Sequence, residues 1–509
     1  MNIQYLISIA VYMAAVILIG LYFAKRANKS TDNYFLGGRS LGPWVSAMSA
    51  EASDMSGWLL MGLPGLAYWS GLASAGWTAI GLALGTYFNW LIVSRRLRRY
   101  SEQVGAITIP DFFSRRFHEK HKVLLVIASL LIIVFFTPYA GSCLMACGKL
   151  FAQLFDAEYD HMVIVAAVFV LVYTFLGGFL AESVSDFMQS IVMFVALIAV
   201  FTVGIANAGG IGAVIENAKE IPGFLSLLTS ADPQTAADGS VIFGKAQDVG
   251  FITILSGLVW GLGYFGMPQV LLRFMAIRDE KELKLSRRVA MIWVVISLAA
   301  AIFIGCIGRV LYPTAYTTYG AGQTENIFIL MTTDMLPALL AGLVCAGILA
   351  ASISSSDSYL LISASAVAEN VFHGLIKKNA TEKQVMWVTR IVLIIIMVIA
   401  AFVATGENQV IFTIVDFAWA GLGATFGPLM IFSLFWKRTT YEGAVAGMIT
   451  GGVTVIVWNF FISKLGGIFE IYELGPAFVL SSAVIVIVSL LTAKPSAEIE
   501  ADYDAVVAK

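Results

Sequence analysis

The feature that most limits the fold is a succession of apolar runs, most of about 20 residues, each able to cross the roughly 30 Å hydrocarbon core of a bilayer as a helix. In lipid, every backbone N–H and C=O of a spanning segment must be satisfied internally, so a chain of such runs folds as a helix bundle. About thirteen spans are read, over 4–24, 42–70, 74–94, 123–155, 160–177, 181–206, 247–274, 289–311, 335–371, 385–405, 410–436, 443–463 and 475–492. The expected fold class is therefore an all-α integral membrane protein, with the lipid bilayer as a partner. Composition agrees: 59% of the 509 residues are hydrophobic and 13% are charged. A net charge of −2 leaves no footprint for nucleic acid.

An odd number of spans places the termini on opposite sides. Arg95, Arg96, Arg98, Arg99, Arg115, Arg116, Lys120 and Lys122 follow span three. Arg278, Lys281, Lys284, Arg287 and Arg288 follow span seven, Lys377, Lys378 and Lys383 follow span nine, and Lys437 and Arg438 follow span eleven. About 25 of the 31 Lys and Arg fall on that side, which is read as cytoplasmic. The N-terminus is then outside and the C-terminus cytoplasmic. The first run is too long for a signal peptide and is followed by Lys25, Arg26 and Lys29, so it is read as a retained span. The outer links 207–246 and 312–334 are long and poor in basic residues, with Ser230–Gln234 read as turn and loop. The acidic tail after Lys494 is expected to be disordered.

Two spans carry residues that a plain packing helix does not need. Span two contains Ser49, Glu51, Ser53, Asp54, Ser56 and Gly57, then Gly62, Pro64 and Gly65. Carboxylates at membrane depth usually face a pathway, and irregular backbone there is tolerated where it lines a cavity. A broken helix exposes N–H groups to anions and C=O groups to cations, so span two is read as half of a site for a small solute and a cation. The alternative is a kinked packing helix with satisfied polar groups. Span seven has four glycines between Gly257 and Gly266, then Pro268, with Trp260 and Tyr264 among them. The two interrupted spans stand five apart and so cross in opposite directions. Such a pair points to inverted repeats, 42–206 and 247–436, with 4–24 and 443–492 as additions. In span nine, Ser354, Asp357 and Ser358 are spaced i, i+3, i+4 and share a helix face whose oxygens suit Na+. Back-bonding of the serines to their own helix is the alternative.

Cys143, Cys147, Cys306 and Cys345 lie in apolar segments without disulfide or zinc spacing. His118, His121, His161 and His373 fall in loops or at span ends, which argues against a histidine-ligated metal. No nucleophile–base pair or cofactor motif is visible, so the chain is not read as an enzyme.

The strings Gly37–Pro43, Ala52–Gly65, Trp260–Gly266 with Pro268, Leu272–Ala276, Gly177–Leu180 and Ile348–Ala351 resemble the proline-transporting branch of the sodium/solute symporter family, over nearly the whole chain. The resemblance implies a leucine-transporter-like fold, a bacterial inner-membrane location, and import of L-proline driven by Na+ entry. Each Na+ would contribute about 2.3 kcal/mol per 100 mV, besides its concentration term. The alternative substrate is another small amino acid, amine or carboxylate such as pantothenate, coupled to sodium or protons. By resemblance, sodium is held by the carbonyls of Ala52, Met55 and Ala351 and the hydroxyls of Ser354 and Ser355. Asp54 matches a carboxylate involved in sodium coupling. Ser56, Gly57, Tyr139, Trp260, Tyr264 and Pro268 match positions around the substrate. A second cation site of Asp186, Ser354, Asp357 and Ser358 is expected where family members carry two ions. Glu51 and Asp357 depart from the pattern, in which a small residue and Ser are expected. Glu51 is read as contacting the substrate amine, as carrying a proton, or as paired with a hydroxyl or Arg39.

Overall fold

A computed structural model describes residues 3–27, 31–236, 241–316, 322–406 and 409–508; Lys29 lies outside the described residues. Among them, ten helices are long and apolar enough to cross a membrane, and the pair Phe251–Gly266 and Pro268–Ala276, bent by 45°, makes up to eleven. The interrupted segment Pro43–Ser70 and the shorter apolar helix Tyr159–Phe175 pack in the same bundle. Boundaries read from hydropathy fall close to those observed: Val123–Phe155 for 123–155, Leu474–Leu491 for 475–492 and Tyr441–Leu465 for 443–463. Spans five and six form one run, Tyr159–Asn207, divided at Gly178, whose φ of 59° and ψ of 178° break the helix. A glycine takes that left-handed φ without the Cβ clash of other residues.

The Ala338–Ser365 helix lies at the centre, packed on Tyr159–Asn207, Val123–Phe155 and Ile3–Ala27. Its last two turns and all of its serines are buried. Outer helices instead present large apolar side chains, such as Phe402 at 78% and Leu491 at 81% exposure, which a bilayer would cover. Glycines set the spacing between the second interrupted segment and its neighbours. A Cβ on Gly261 would lie 2.2 Å from Gly81 O, and one on Gly85 2.1 Å from Gly261 O, so these backbones touch.

The basic loops gather at one end of the bundle. Arg98 donates to Ile277 O at 2.6 Å, Arg96 to Leu434 O at 2.9 Å and Arg116 to Ser433 O at 3.1 Å, while Arg99 pairs with Glu280. The acidic tail, expected to be disordered, is helical over Ala497–Val507 instead. Ser496 caps it, Tyr503 and Val506 are buried one turn apart, and its carboxylates meet the basic end through Lys437–Asp504 at 2.6 Å and His118–Asp502 at 2.8 Å. That partner surface is invisible to local composition. At the other end, the link read as loop carries helix Ile211–Lys219 and two small antiparallel pairs, Thr229–Ser230 with Gln247–Asp248 and Pro233–Thr235 with Val241–Phe243. The link 312–334 likewise contains helix Ile327–Met335.

Candidate functional site at the two helix breaks

Pro43 opens the helix Pro43–Asp54, its missing N–H and fixed φ suiting a first turn. The helix ends where Met55 takes φ −85° and ψ 81°. The N–H of Met55 still reaches Glu51 O at 2.8 Å, but that of Ser56 turns back to Asp54 O at 3.1 Å. Ala52 O thereby loses its i+4 donor. The chain resumes in a wide helical turn, Trp58–Gly62, and helix Leu63–Ser70.

The freed Ala52 carbonyl is met from the central helix. Ser354 Oγ donates to it at 2.7 Å and Ser355 Oγ at 3.1 Å, and Ser354 Oγ also lies 3.1 Å from Ala351 O. All of these residues are buried, and Met55 stands buried at the break beside them. Four of the five groups assigned to sodium by resemblance are therefore neutral oxygens joined in one chain of hydrogen bonds, Ser355 to Ala52 to Ser354 to Ala351. That donor chemistry fits a hard monovalent cation, which can take the carbonyl and hydroxyl lone pairs together.

On the other face of the break, Asp54 O is approached by Trp58 Nε1 at 3.3 Å and by the hydroxyls of Tyr139 and Tyr359, each at 3.5 Å. The two tyrosine rings lie 4.3 Å apart. The Asp54 carboxylate accepts from Gln269 Nε2 at 3.1 Å through Oδ1. Gly57 is pressed against the Val123–Phe155 helix: a Cβ there would come within 2.4 Å of Ala146 Cβ. Ser56 Oγ is buried without a partner.

The second interrupted segment carries a cluster of packed aromatic rings. Helix Phe251–Val259 tightens over Trp260–Gly266, and Met267 is extended before Pro268 restarts the helix. The Trp260 ring stacks on Tyr472 at 5.2 Å and Trp419 at 6.0 Å, and Tyr264 meets Trp419 edge-on at 5.0 Å. Trp419 Nε1 locks the segment by donating to Trp260 O at 2.9 Å. A Cβ at Gly263 would fall 2.1 Å from that same nitrogen, so glycine is what lets Trp419 seat there.

Asp186, expected to face Asp357 across a cation, has a different neighbour. Arg273 Nη2 lies 2.9 Å from Asp186 Oδ2 and 2.9 Å from Ser358 Oγ, and also binds Glu182. Arg273 Nε reaches Ser49 Oγ at 3.0 Å, and Ser49 donates to Asp186 at 2.8 Å. The guanidinium thus supplies the positive charge that a second ion between Asp186 and span nine was expected to supply. Ser354 turns to Ala52 and Ser358 to Glu182, so the three polar residues of that helix face are not used together. Asp357 is buried next to Thr174. Glu51 takes a hydrogen bond from Trp90 Nε1 at 3.1 Å, while Arg39 reaches Ser101, Met275 O and Ala106 O.

Toward the opposite end, Lys149 Nζ binds Glu325 Oε2 at 2.6 Å, Gln409 O at 2.9 Å and Gly322 O at 3.0 Å. Glu325 in turn accepts from the N–H groups of Ile411 and Phe412 at 3.0 and 3.1 Å. Below this network, Gly62, Gly65, Trp69 and Phe412 help line a cleft of about 250 Å³. Gln269, Arg273, Tyr359 and Trp419 were not assigned roles from the sequence. An arginine and a mid-span tryptophan within apolar runs were the available signals.

Against known proteins, the sequence profile described as the sodium:solute symporter family matches residues 34–451. The chain belongs to the sodium:solute symporter family. Within it, the chain is 41% identical to the sodium/proline symporter of Haemophilus influenzae over 508 residues, covering 98% of this chain and 97% of that one. It is 40% identical to the sodium/proline symporter of Staphylococcus aureus over 512 residues, covering 99% and 96%. Among solved structures, a Na+-coupled sialic acid symporter shares the fold with a TM-score of 0.79 at 19% identity, over 97% of this chain and 99% of that one. A nucleobase-cation-symport-1 family transporter shares it more distantly, with a TM-score of 0.55 at 12% identity, over 92% and 98%.

Proposed function

We propose that this family member is a secondary active symporter that imports L-proline together with Na+ across a bacterial cell membrane. The observation that carries the sodium part is the Ala52 carbonyl, released by the turn at Met55 and met by Ser354 and Ser355. Its relatives at about 40% identity, sodium/proline symporters by name, support the substrate. In this reading Ala52, Met55, Ala351, Ser354 and Ser355 hold the ion, and Asp54 couples it to the solute. The imino acid lies between Ser56, Gly57, Tyr139, Trp260, Tyr264 and Pro268. Its carboxylate meets the N–H groups that open the second half of the first interrupted segment, and its ring packs on the aromatic cluster.

Counting Pro43–Ser70 and Tyr159–Phe175 as passes besides the eleven gives thirteen spans, with repeats over 42–206 and 247–436 and the basic end cytoplasmic. The Arg273 network then closes the cytoplasmic side and the Lys149–Glu325 network the outer side. Alternating access means releasing one buried network while the other holds, so the solute never sees both aqueous phases.

The test is equilibrium binding of labelled L-proline to the purified chain in lipid nanodiscs, with Na+ or with choline. Binding that requires Na+ and falls at least tenfold in Trp260→Ala supports the reading. Binding indifferent to Na+, or unchanged in that variant, contradicts it.

A further inference from the structure

Around Asp54 lies a cluster of polar groups, Glu51, Thr86, Asn89 and Gln269 among them, that the reading above leaves without a role. Glu51 and Asp54 are spaced i, i+3 on one face of the helix that leads into the first break, and both are fully buried. Each is only half satisfied: Trp90 donates to Glu51 Oε1 at 3.1 Å and Gln269 to Asp54 Oδ1 at 3.1 Å, while Glu51 Oε2 and Asp54 Oδ2 have no hydrogen-bond partner. No ion pair with Lys, Arg or His reaches either carboxylate among the described residues.

The groups around them are also oxygens left over. Asn89 uses its Nδ2 on Tyr264 O at 2.9 Å, which leaves Oδ1 buried and unpartnered. Gln269 uses its Nε2 on Asp54, which leaves Oε1 in the same condition beside that carboxylate. The Tyr264 hydroxyl lies between Thr86 and Asp54, close enough to interact with both but outside good hydrogen-bond geometry to either. Carboxylate, amide and hydroxyl oxygens from three segments thus gather around Asp54, where, within the cluster, the hydroxyls of Thr86 and Tyr264 are the only donors left for the unpartnered oxygens of two carboxylates and an amide. An unpaired buried carboxylate costs several kcal/mol, and a buried acceptor without a donor adds about 1–3 kcal/mol, so such a cluster favours a positive occupant, whether a metal cation or a proton.

We propose that these oxygens form a second alkali-cation site, which takes one Na+ between Glu51 and Asp54 and is separate from the Ala52–Ser354–Ser355 set. Donor type argues for the ion class: carboxylate, amide and hydroxyl oxygens without nitrogen or sulfur suit a hard cation. Charge agrees as well. One Na+ neutralises one of the two carboxylates, and the ammonium of a zwitterionic solute beside Asp54 meets the other. Two cations would then move with each solute, and Glu51 is the residue that adds the second. That the ion is Na+ rests on the sodium-coupled reading; the site itself rests on the unpartnered oxygens.

The experiment is equilibrium binding of 22Na+ to the purified full-length chain without proline. The parent should bind two Na+ per chain, and Glu51→Gln should bind one. The paired change Ser354→Ala with Ser355→Ala should also leave one, lost when Glu51→Gln is added. Thr86→Val keeps shape but removes an oxygen, and should weaken the second site about tenfold, which guards against Glu51→Gln acting through misfolding. One Na+ per chain in the parent, or two in Glu51→Gln, would overturn the proposal. A parent that binds one Na+, with Glu51→Gln lowering only proline affinity, would assign the cluster to the solute's ammonium and overturn it too. No Na+ on the parent at all would instead fail the sodium-coupled reading on which the ion's identity rests.

Discussion

Replacing Arg273 with Met is expected to be among the most damaging single changes in the bundle. The side chain is fully buried and its guanidinium serves Ser49, Gln269 O, Glu182, Asp186 and Ser358, tying four helical segments together. Removing one partner of a buried ion pair costs about 3–5 kcal/mol, because the other charge is stranded. Here two carboxylates are stranded side by side, so the upper part of that range applies, about 4–5 kcal/mol, or roughly three decades in the unfolding equilibrium. Methionine fills most of the volume, so the loss reports charge more than cavity. A triple variant, Arg273→Met with Glu182→Gln and Asp186→Asn, removes the stranded charges and should recover most of the stability. Unfolding in mixed micelles, followed by the fluorescence of the 11 tryptophans, measures both. Arg273→Met within about 1 kcal/mol of the parent, or a triple variant no better than the single one, would refute this account of the network.

Other outcomes follow from the same geometry. Gly263→Ala puts a Cβ 2.1 Å from Trp419 Nε1, so it should cost about 1–3 kcal/mol and lower proline affinity by displacing the aromatic cluster, as read in a thermal melt and a binding isotherm. Ser354→Ala and Ser355→Ala should each raise the Na+ concentration for half-maximal uptake about tenfold, the equivalent of about 1.4 kcal/mol per lost oxygen. An unchanged sodium dependence in both would remove the first ion site. Lys149→Met strands Glu325 and should cost about 3–5 kcal/mol, with recovery when Glu325→Gln is added. With that end outside, as proposed, the single variant should also leak solute faster, measured as efflux from loaded liposomes.

The parts of the site legible in the sequence are those set by local rules. Glycine and proline inside an apolar run marked both breaks, with carboxylates besides at the first, and the turn at Met55 and the extended Met267 lie inside the stretches that marked them. The family resemblance, rather than the serine spacing, set Ser354 and Ser355 against Ala52, where the structure has their hydroxyls. What escaped depends on neighbours distant in the chain. The resemblance to two-ion family members sets Asp186 with Asp357 around a cation, yet its partner is Arg273, 87 residues away. Nothing local distinguishes Trp419 from other aromatics of an apolar span, because its role rests on Trp260 O, 159 residues away. The tail helix fails as a local prediction for the same reason: its acidic composition reads as solvated until the basic end of the bundle stands opposite it.

The most direct test of sodium-coupled proline import is uptake of labelled L-proline into liposomes holding the purified chain, with an inward Na+ gradient imposed or withheld at constant membrane potential. The account predicts accumulation above the external concentration only while the gradient stands, and collapse when a sodium ionophore dissipates it. Uptake that merely equilibrates proline, or accumulates it equally under an inward proton gradient without Na+, would contradict it.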